Sequence, residues 1–499
     1  MSKKEFYGID LGTTYSCIAK INSDDIVEVI TNPKTGAPTT PSAVAFLDDG
    51  TMVVGESAKN NLVNSVENTV VFIKREMSND SYTRTIQGRT YDQVDISSFI
   101  LKELVDFANQ KRKDEEGKDP IYDVVITVPA YFGKKERDRT IAAGEKAGLN
   151  VLQLINEPTA AALSFGKKNK SNRTILVYDL GGGTFDVSIM RIENGLINTL
   201  STTGDNHLGG ADWDRAIIDY VLDKINLSYD DLDTQEKGTM IISAEALKKT
   251  LTSQEQSTYT FVCRGIRNID ISRAEFEANT KRLMNRTMLL VDEAIDLAVK
   301  DNSIKSIEDI DEVLLVGGST MMPMVKDWVK KKFNKDPKLV DPHMAVAKGA
   351  ALTAAQNDKG YIKGGLTLGK DKGSRTYGMS AFSESEDRMM VFNLIMRNDD
   401  LVIRKEINSF STRFDNQSTL EFHFYESEST KEVMEVDDRL ELKSKTGELS
   451  WGYPVQKNTP VKIIVERDVS GSVTVWAECE GHKAIFEIVT AGGNGISSK

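Results

Sequence analysis

Short apolar runs and helical stripes alternate over roughly the first 357 residues, and that alternation predicts layered α/β structure. Residues 5–11 and 15–21 read as strands on either side of a Gly turn, and 43–47 as a further strand. The run DVVITV at 123–128 is a compact apolar strand stopped by Pro129, and 174–179 with 185–192 repeats the strand–turn–strand pattern. Helical spacing is clearest at 97–111, where Phe99, Ile100, Leu104, Val105 and Ala108 share a face. It recurs at 274–300, through Phe276, Leu283, Val291 and Ile295. After residue 357 the texture changes. Residues 358–373 are rich in Gly and Lys and read as a linker. Beyond them apolar and polar positions alternate with period two: Leu420, Phe422 and Phe424, then Val461, Ile463 and Val465, then Val473, Val475 and Ala477 after a Ser470-Gly471 turn. Half-buried strands at this spacing predict an antiparallel β-sandwich over 374–490, with 491–499 a flexible tail.

Composition narrows the class. The chain has 499 residues, enough for about three domains at roughly 150 residues each. Lys plus Arg total 63 against 75 Asp plus Glu, a net charge of −12. That balance excludes a general nucleic-acid binder, which needs a basic face to displace counterions. An apolar share of 39% fits a folded protein. No apolar run approaches the roughly 18 residues of a membrane span. Cys17, Cys263 and Cys479 are too few and scattered for a disulfide framework, and His207, His343, His423 and His482 lack metal-ligand spacing. The expectation is an acidic, cytoplasmic, multidomain protein with no nucleic-acid or membrane partner.

The chemistry-bearing feature is a pattern that occurs twice. Gly8-Ile9-Asp10-Leu11-Gly12-Thr13-Thr14-Tyr15 and Tyr178-Asp179-Leu180-Gly181-Gly182-Gly183-Thr184-Phe185-Asp186 are each strand, Asp, Gly turn, Thr, strand. A glycine turn lets backbone N–H groups approach phosphate oxygens, and Thr hydroxyls add donors. An Asp at the strand end suits Mg²⁺ held through its waters, because Mg²⁺ dehydrates reluctantly. Either copy alone reads as a plain hairpin; the repetition points to two turns gripping one polyphosphate. No GxxxxGK[ST] motif occurs, and no strand-anchored GxGxxG supports a Rossmann site. A third Gly turn, Val316-Gly317-Gly318-Ser319-Thr320, and the pair Gly209-Gly210 offer backbone for a nucleoside. Two Ala-rich helical segments, at 157–162 and 345–351, carry side chains small enough for helices to cross closely, as a hinge between lobes requires.

Together, and in this order, these segments resemble the actin-like ATPase superfamily. More closely, the chain resembles the heat-shock seventy-kilodalton chaperone family, the DnaK-like proteins. The likeness lies in GIDLGTTYSCIA at 8–19, NTVVFIKRE at 68–76, VITVPAYF at 125–132 and GLNVLQLINEPTAAAL at 148–163. It continues through YDLGGGTFDVSI at 178–189, GDNHLGGADWD at 204–214 and VLLVGGSTMMP at 313–323. It covers nearly all of 5–357 and is thinner beyond 374, resting on Phe410-Ser411-Thr412 and Asp415-Asn416-Gln417-Ser418.

The resemblance implies an actin-like ATPase domain over 1–357, with two lobes built on ribonuclease H-like cores, followed by the β-sandwich. It implies ATP or ADP with Mg²⁺, and K⁺ as an optional cation. Gly12, Thr13, Thr14 and Tyr15 would meet phosphates from one lobe, and Gly181, Gly182, Gly183 and Thr184 from the other. Asp10 and Asp179 would position the metal. Lys74 and Glu157 would serve the γ-phosphate and attacking water, with Asp186 behind them. Glu245, Lys248, Lys249 and Thr252 would bracket the adenosine on one side, Gly317, Gly318 and Ser319 on the other. Its implied partners are extended polypeptide, a J-domain co-chaperone and a nucleotide exchange factor, with Met379, Phe382 and Phe410 as peptide-contact candidates. The match departs from the family at Met321, where an Arg is usual, at His343, where an Asp is usual, and at Gly364-Gly365-Leu366-Thr367 in the linker. The segment between Lys74 and Pro129 is short, and the chain ends where the family's helical lid begins, so fast peptide exchange is expected. The alternative weighed against a general chaperone is an actin-like ATPase whose β domain engages one dedicated partner.

Overall fold

A computed structural model describes residues 5–22, 26–117, 119–166, 171–262, 265–358, 366–437, 440–442, 448–468 and 471–488. Cys263, Ser470, the linker stretch 359–365 with Gly364-Gly365, and the tail 491–499 therefore lie outside the described residues. The chain divides into two compact units. One is Met1–Ala130 with Thr140–Gly369; the other is Tyr131–Arg139 with Lys370–Lys499.

The first unit contains two sheets of matching topology. In one, Phe6–Asp10 pairs antiparallel with Tyr15–Ile21, which pairs with Val27–Val29; on its other side run Asp123–Val128 and Asn150–Asn156, both parallel. In the other, Arg173–Leu180 pairs antiparallel with Phe185–Glu193, which pairs with Leu196–Asp205; Glu312–Val316 and Lys338–Leu339 run parallel on the opposite side. The parallel strands read as near-continuous apolar runs because helices cover them. All eight residues of Arg173–Leu180 are buried. The repeated sequence motif is thus the visible part of a repeated half-domain: each copy occupies the same hairpin in its own sheet.

Two small-residue helices pack together between these sheets. Glu157–Gly166 and Ala345–Gln356 share one apolar core with Val125, Val177 and Leu314. A Cβ on Gly349 would lie 1.8 Å from the Ala160 carbonyl oxygen, and one on Gly8 2.1 Å from the Ala351 nitrogen. Backbone meets backbone at this crossing, the close approach expected of the Ala-rich segments. The predicted helices at 97–111 and 274–300 are Gln93–Lys111 and Arg273–Lys300. Each begins with a capping box, on Asp92 and Ser272.

The second unit is a β-sandwich. One sheet orders Val433–Glu435, Arg388–Ile395, Thr376–Ser383, Phe424–Ser427 and Glu441–Leu442. Another orders Ile403–Ser411, Pro460–Arg467, Val473–Cys479 and His482–Glu487, and Gln417–Glu421 pairs with Glu448–Val455. The alternation at 461–465 is buried as expected, yet it runs on to Arg467, whose guanidinium donates to the carbonyls of Leu401 and Asp400, each at 2.8 Å. The apolar run at 420–424 is not one strand. The chain leaves the pairing with Glu448–Val455 after Glu421 and joins Thr376–Ser383 at Phe424, so Phe422 and Phe424 stay buried and stacked while the backbone changes sheet.

Candidate functional site

The two Asp-Gly-Thr turns of the first unit face one another. In register, Asp10 sits opposite Cys17 and Asp179 opposite Asp186. A Cβ on Gly182 would lie 1.9 Å from Thr14 Oγ1, and one on Gly183 2.3 Å from Thr13 Cγ2. The turns interlock: side chains of one lobe occupy space that only glycine leaves open in the other.

Beside them is a cavity of about 570 Å³, within the roughly 300–1,000 Å³ usual for a small-ligand pocket. Asp10, Gly12, Thr13, Thr14, Tyr15, Lys74, Glu157, Asp179, Gly181, Gly182 and Thr184 line it, together with Glu245, Lys248, Lys249, Thr252, Gly317, Gly318 and Ser319. Gly183, Gly209, Gly210 and Asp186 are not in its lining. Gly210 N–H donates to the Gly181 carbonyl at 3.0 Å, so the Gly209-Gly210 pair braces the Gly181–Thr184 turn from behind. Asp186 is buried beside Asp179, where its charge acts on that carboxyl.

At one end Lys74 forms a buried ion pair with Glu157. Lys74 lies in the 3-10 turn Ile73–Glu76, entered through Phe72 in the left-handed region at φ 60°. A non-glycine residue there is strained, and the turn it opens carries a lysine that is only 5% exposed. Burial first, and then the charge of Glu157, pushes the Asp10 carboxyl up to about 7 despite Lys74 nearby. Burial, then Glu157, Asp186 and Asp10, raises Asp179 well above the carboxylate range. Four acidic groups gathered around one lysine are an excess of negative charge that a hydrated divalent cation would neutralise. Among the described residues no three His, Cys, Asp or Glu side chains close directly on one metal position. The Asp10 and Asp179 carboxyls, both in the cavity lining, are the hard oxygen donors that a hydrated Mg²⁺ would take.

Elsewhere around the cavity Ser319 donates to the Gly181 carbonyl at 2.8 Å, and Lys248 to the Gly210 carbonyl at 2.8 Å. Glu245 receives ion pairs from Lys59 (2.5 Å) and Lys249 (2.6 Å), and both lysines also donate to the Tyr15 hydroxyl. Burial alone would raise Glu245, but the two lysines outweigh it and hold the carboxyl down to about 2.

A family model described as Hsp70 protein matches residues 6–444. The chain belongs to the Hsp70 family. It is 40% identical over 444 residues to the chaperone protein DnaK of Thermosipho melanesiensis, an alignment covering 86% of this chain and 71% of that protein. It is 36% identical to the DnaK of Halobacterium salinarum over 514 aligned positions, covering all of this chain and 77% of the relative. As an Hsp70, it is an ATP-hydrolysing, ATP-dependent chaperone that uses ATP or ADP with Mg²⁺, and its partners as a class are unfolded polypeptides and co-chaperones. No helix among the described residues is long and apolar enough to cross a membrane.

Several lining residues of this Hsp70 cleft escaped the sequence reading: Pro38, Thr39, Asp214, Met322, Pro342, Met344 and Val346. Pro38, Thr39, Pro342 and Met344 come from loops that no local pattern marks, whereas Asp214, Met322 and Val346 lie within motif segments that gave no sign of their place in the cavity. Met321 and His343, noted as departures from the family, both line the cavity; burial and then the Lys249 charge lower the His343 imidazole. Lys59 lay in no motif, and Asp214 closed the GDNHLGGADWD segment with no role assigned; each forms an ion pair with a predicted site residue, Glu245 and Lys248. Cys17 is buried, and burial followed by the Asp10 charge pushes its thiol up, so it stays protonated. In the second unit Met379 is buried in the sandwich core, Phe410 packs against that core and against Phe392, and Phe382 lies beneath the Arg413 guanidinium. None of the three lines the wider depression of about 810 Å³ bordered by Glu428, Lys431, Met434 and Asp437.

Proposed function

We propose that the cleft binds ATP with its triphosphate between the two glycine turns, and that hydrolysis there controls the grip of the β-sandwich on extended apolar polypeptide. Backbone amides of the turns and the hydroxyls of Thr13, Thr14 and Thr184 would hold the phosphates. Asp10 and Asp179 would hold Mg²⁺ through its waters; the cation would spread the phosphate charge during transfer to water. Lys74 would hold the γ-phosphate end, and Glu157, anchored by Lys74, would orient the attacking water. Phosphoryl transfer to water depends mainly on positioning and charge stabilisation, which is what this set of residues supplies. Glu245, Lys248, Lys249 and Thr252 on one side, with Gly317, Gly318 and Ser319 on the other, would enclose the nucleoside. Met379, Phe382 and Phe410 remain the candidates for polypeptide contact, Met379 from within the sandwich core and Phe410 packed against it. A J-domain co-chaperone, a nucleotide exchange factor, K⁺ as an optional cation and a cytoplasmic location complete the reading.

The observation that carries it is the buried Lys74–Glu157 pair beside Asp10 and Asp179 at the glycine-turn end of one cavity. Lys74→Ala is expected to bind ATP but to lose roughly 10²–10³ in single-turnover hydrolysis, as when one transition-state donor is removed. Hydrolysis near the parent rate would overturn the assignment of Lys74.

A further inference from the structure

Arg75 follows Lys74 in the turn Ile73–Glu76 but points to different partners. Its Nε–H donates to the Gly183 carbonyl at 3.0 Å. Its terminal nitrogens donate to both carboxylate oxygens of Asp212, one at 3.2 Å. Asp212 lies in the first turn of helix Gly210–Lys224, and its carboxylate also accepts the Gly209 N–H at 2.7 Å. Gly209 in turn abuts Gly183: a Cβ there would lie 2.5 Å from the Gly183 nitrogen. One guanidinium from the first lobe thus holds the second lobe's phosphate turn and the helix start that braces it.

We propose that Arg75 is a positioning residue, a clasp that shuts the lobes and fixes the Gly181–Thr184 turn without touching nucleotide. The inference rests on the reading of that turn as a phosphate grip. A peptide unit is planar and trans, so anchoring the Gly183 carbonyl toward Arg75 directs the Thr184 N–H the opposite way. Thr184 lines the cavity. The bidentate contact with Asp212 is charge-assisted and only partly exposed, and its planar fork is what lets a single side chain serve three acceptors. Parting the lobes breaks all three bonds. Asp212 would keep its bond to Gly209, so the helix start survives opening and the clasp can re-form.

The test measures release of a fluorescent ADP analogue and single-turnover kcat and KM in the full chain, with thermal melting as the folding control. Arg75→Ala should release ADP about tenfold faster and lower single-turnover kcat by a similar factor, a coupling within the usual span between linked sites. Arg75→Lys keeps the charge but not the fork, and should fall between. Asp212→Asn leaves an oxygen for Gly209, and in an Arg75→Ala background it should add little to the release rate. Parent-like release and kcat in Arg75→Ala, or fully additive effects in the double variant, would overturn the clasp. If the parent chain itself hydrolyses no ATP, the phosphate-grip reading falls instead.

Discussion

At the scale of single residues, the cleft concentrates ionisable groups whose partners decide their behaviour. Glu245, in the cavity lining, has its carboxyl held down to about 2 between Lys59 and Lys249 against the pull of burial. A carboxyl depressed from 4.5 stabilises the fold at every pH above 4.5 and loses that contribution as pH falls toward 2. Glu245→Gln should therefore cost on the order of 3 kcal/mol in denaturant unfolding at pH 7, and the difference from the parent should shrink as titration proceeds below pH 4.5. An undiminished difference at pH 3.5 would contradict the ion-pair account. Asp10 behaves in the opposite sense. Its carboxyl is raised to about 7, so in the nucleotide-free protein it favours the fold below about pH 4 and loses that advantage as pH rises to 7. A cation bound there favours the ionised form, so Mg-nucleotide binding should release protons near pH 6.5 and cease to do so above about pH 8. Calorimetry in buffers of different ionisation enthalpy would show this; no buffer dependence at pH 6.5 would contradict it. Asp10 and Asp179 were legible in the sequence because the strand–Asp–Gly–Thr pattern is local and repeated. Lys74 was not legible from its own surroundings, because a lysine beside an arginine has no period or spacing. Only the family likeness singled it out, and the strained backbone at Phe72 that turns this segment inward has no sequence signature.

At the scale of elements, glycine decides how closely the pieces approach. In helix Thr234–Ser253 a Cβ on Gly238 would lie 1.8 Å from the Leu62 carbonyl, so this helix rests directly on the turn Asn61–Val63 of the other lobe. Intrinsic propensity favours Ala over Gly in a helix by about 1 kcal/mol. A contact of 1.8 Å with backbone cannot be relieved by a rotamer change, and it wins. Gly238→Ala should speed ADP release by forcing the lobes apart, measured by stopped-flow with the fluorescent analogue; release at or below the parent rate would show that the helix does not bear on that turn. The strands and long helices of both units were legible because period two and period 3.6 are local properties. The run at 420–424 misled, since alternation records which side chains are buried and not which partner strand the backbone meets. Arg467 misled in the other direction: a charged residue takes the fourth inward position of Pro460–Arg467 because backbone carbonyls satisfy it, a compensation that lies far away in sequence.

At the scale of the whole molecule, a duplicated α/β half-domain encloses one cleft, and a separate β-sandwich supplies a second surface. The duplication was legible from two short motifs. The far wall of the cavity was only partly so: Glu245, Lys248, Lys249 and Thr252 share the helix Thr234–Ser253, whereas Pro38, Thr39, Pro342 and His343 come from loops that meet them only in the fold. The central claim is that nucleotide in the first unit governs polypeptide binding by the second, a coupling of two sites that must be reciprocal. The most direct test is anisotropy titration of a labelled, extended apolar peptide onto the intact chain, once with Mg-ATP and once with Mg-ADP. The account predicts binding in both states with dissociation constants differing by about tenfold or more, weaker under ATP, where an open cleft exchanges peptide fast. Equal constants in the two states, or no binding in either, would contradict it.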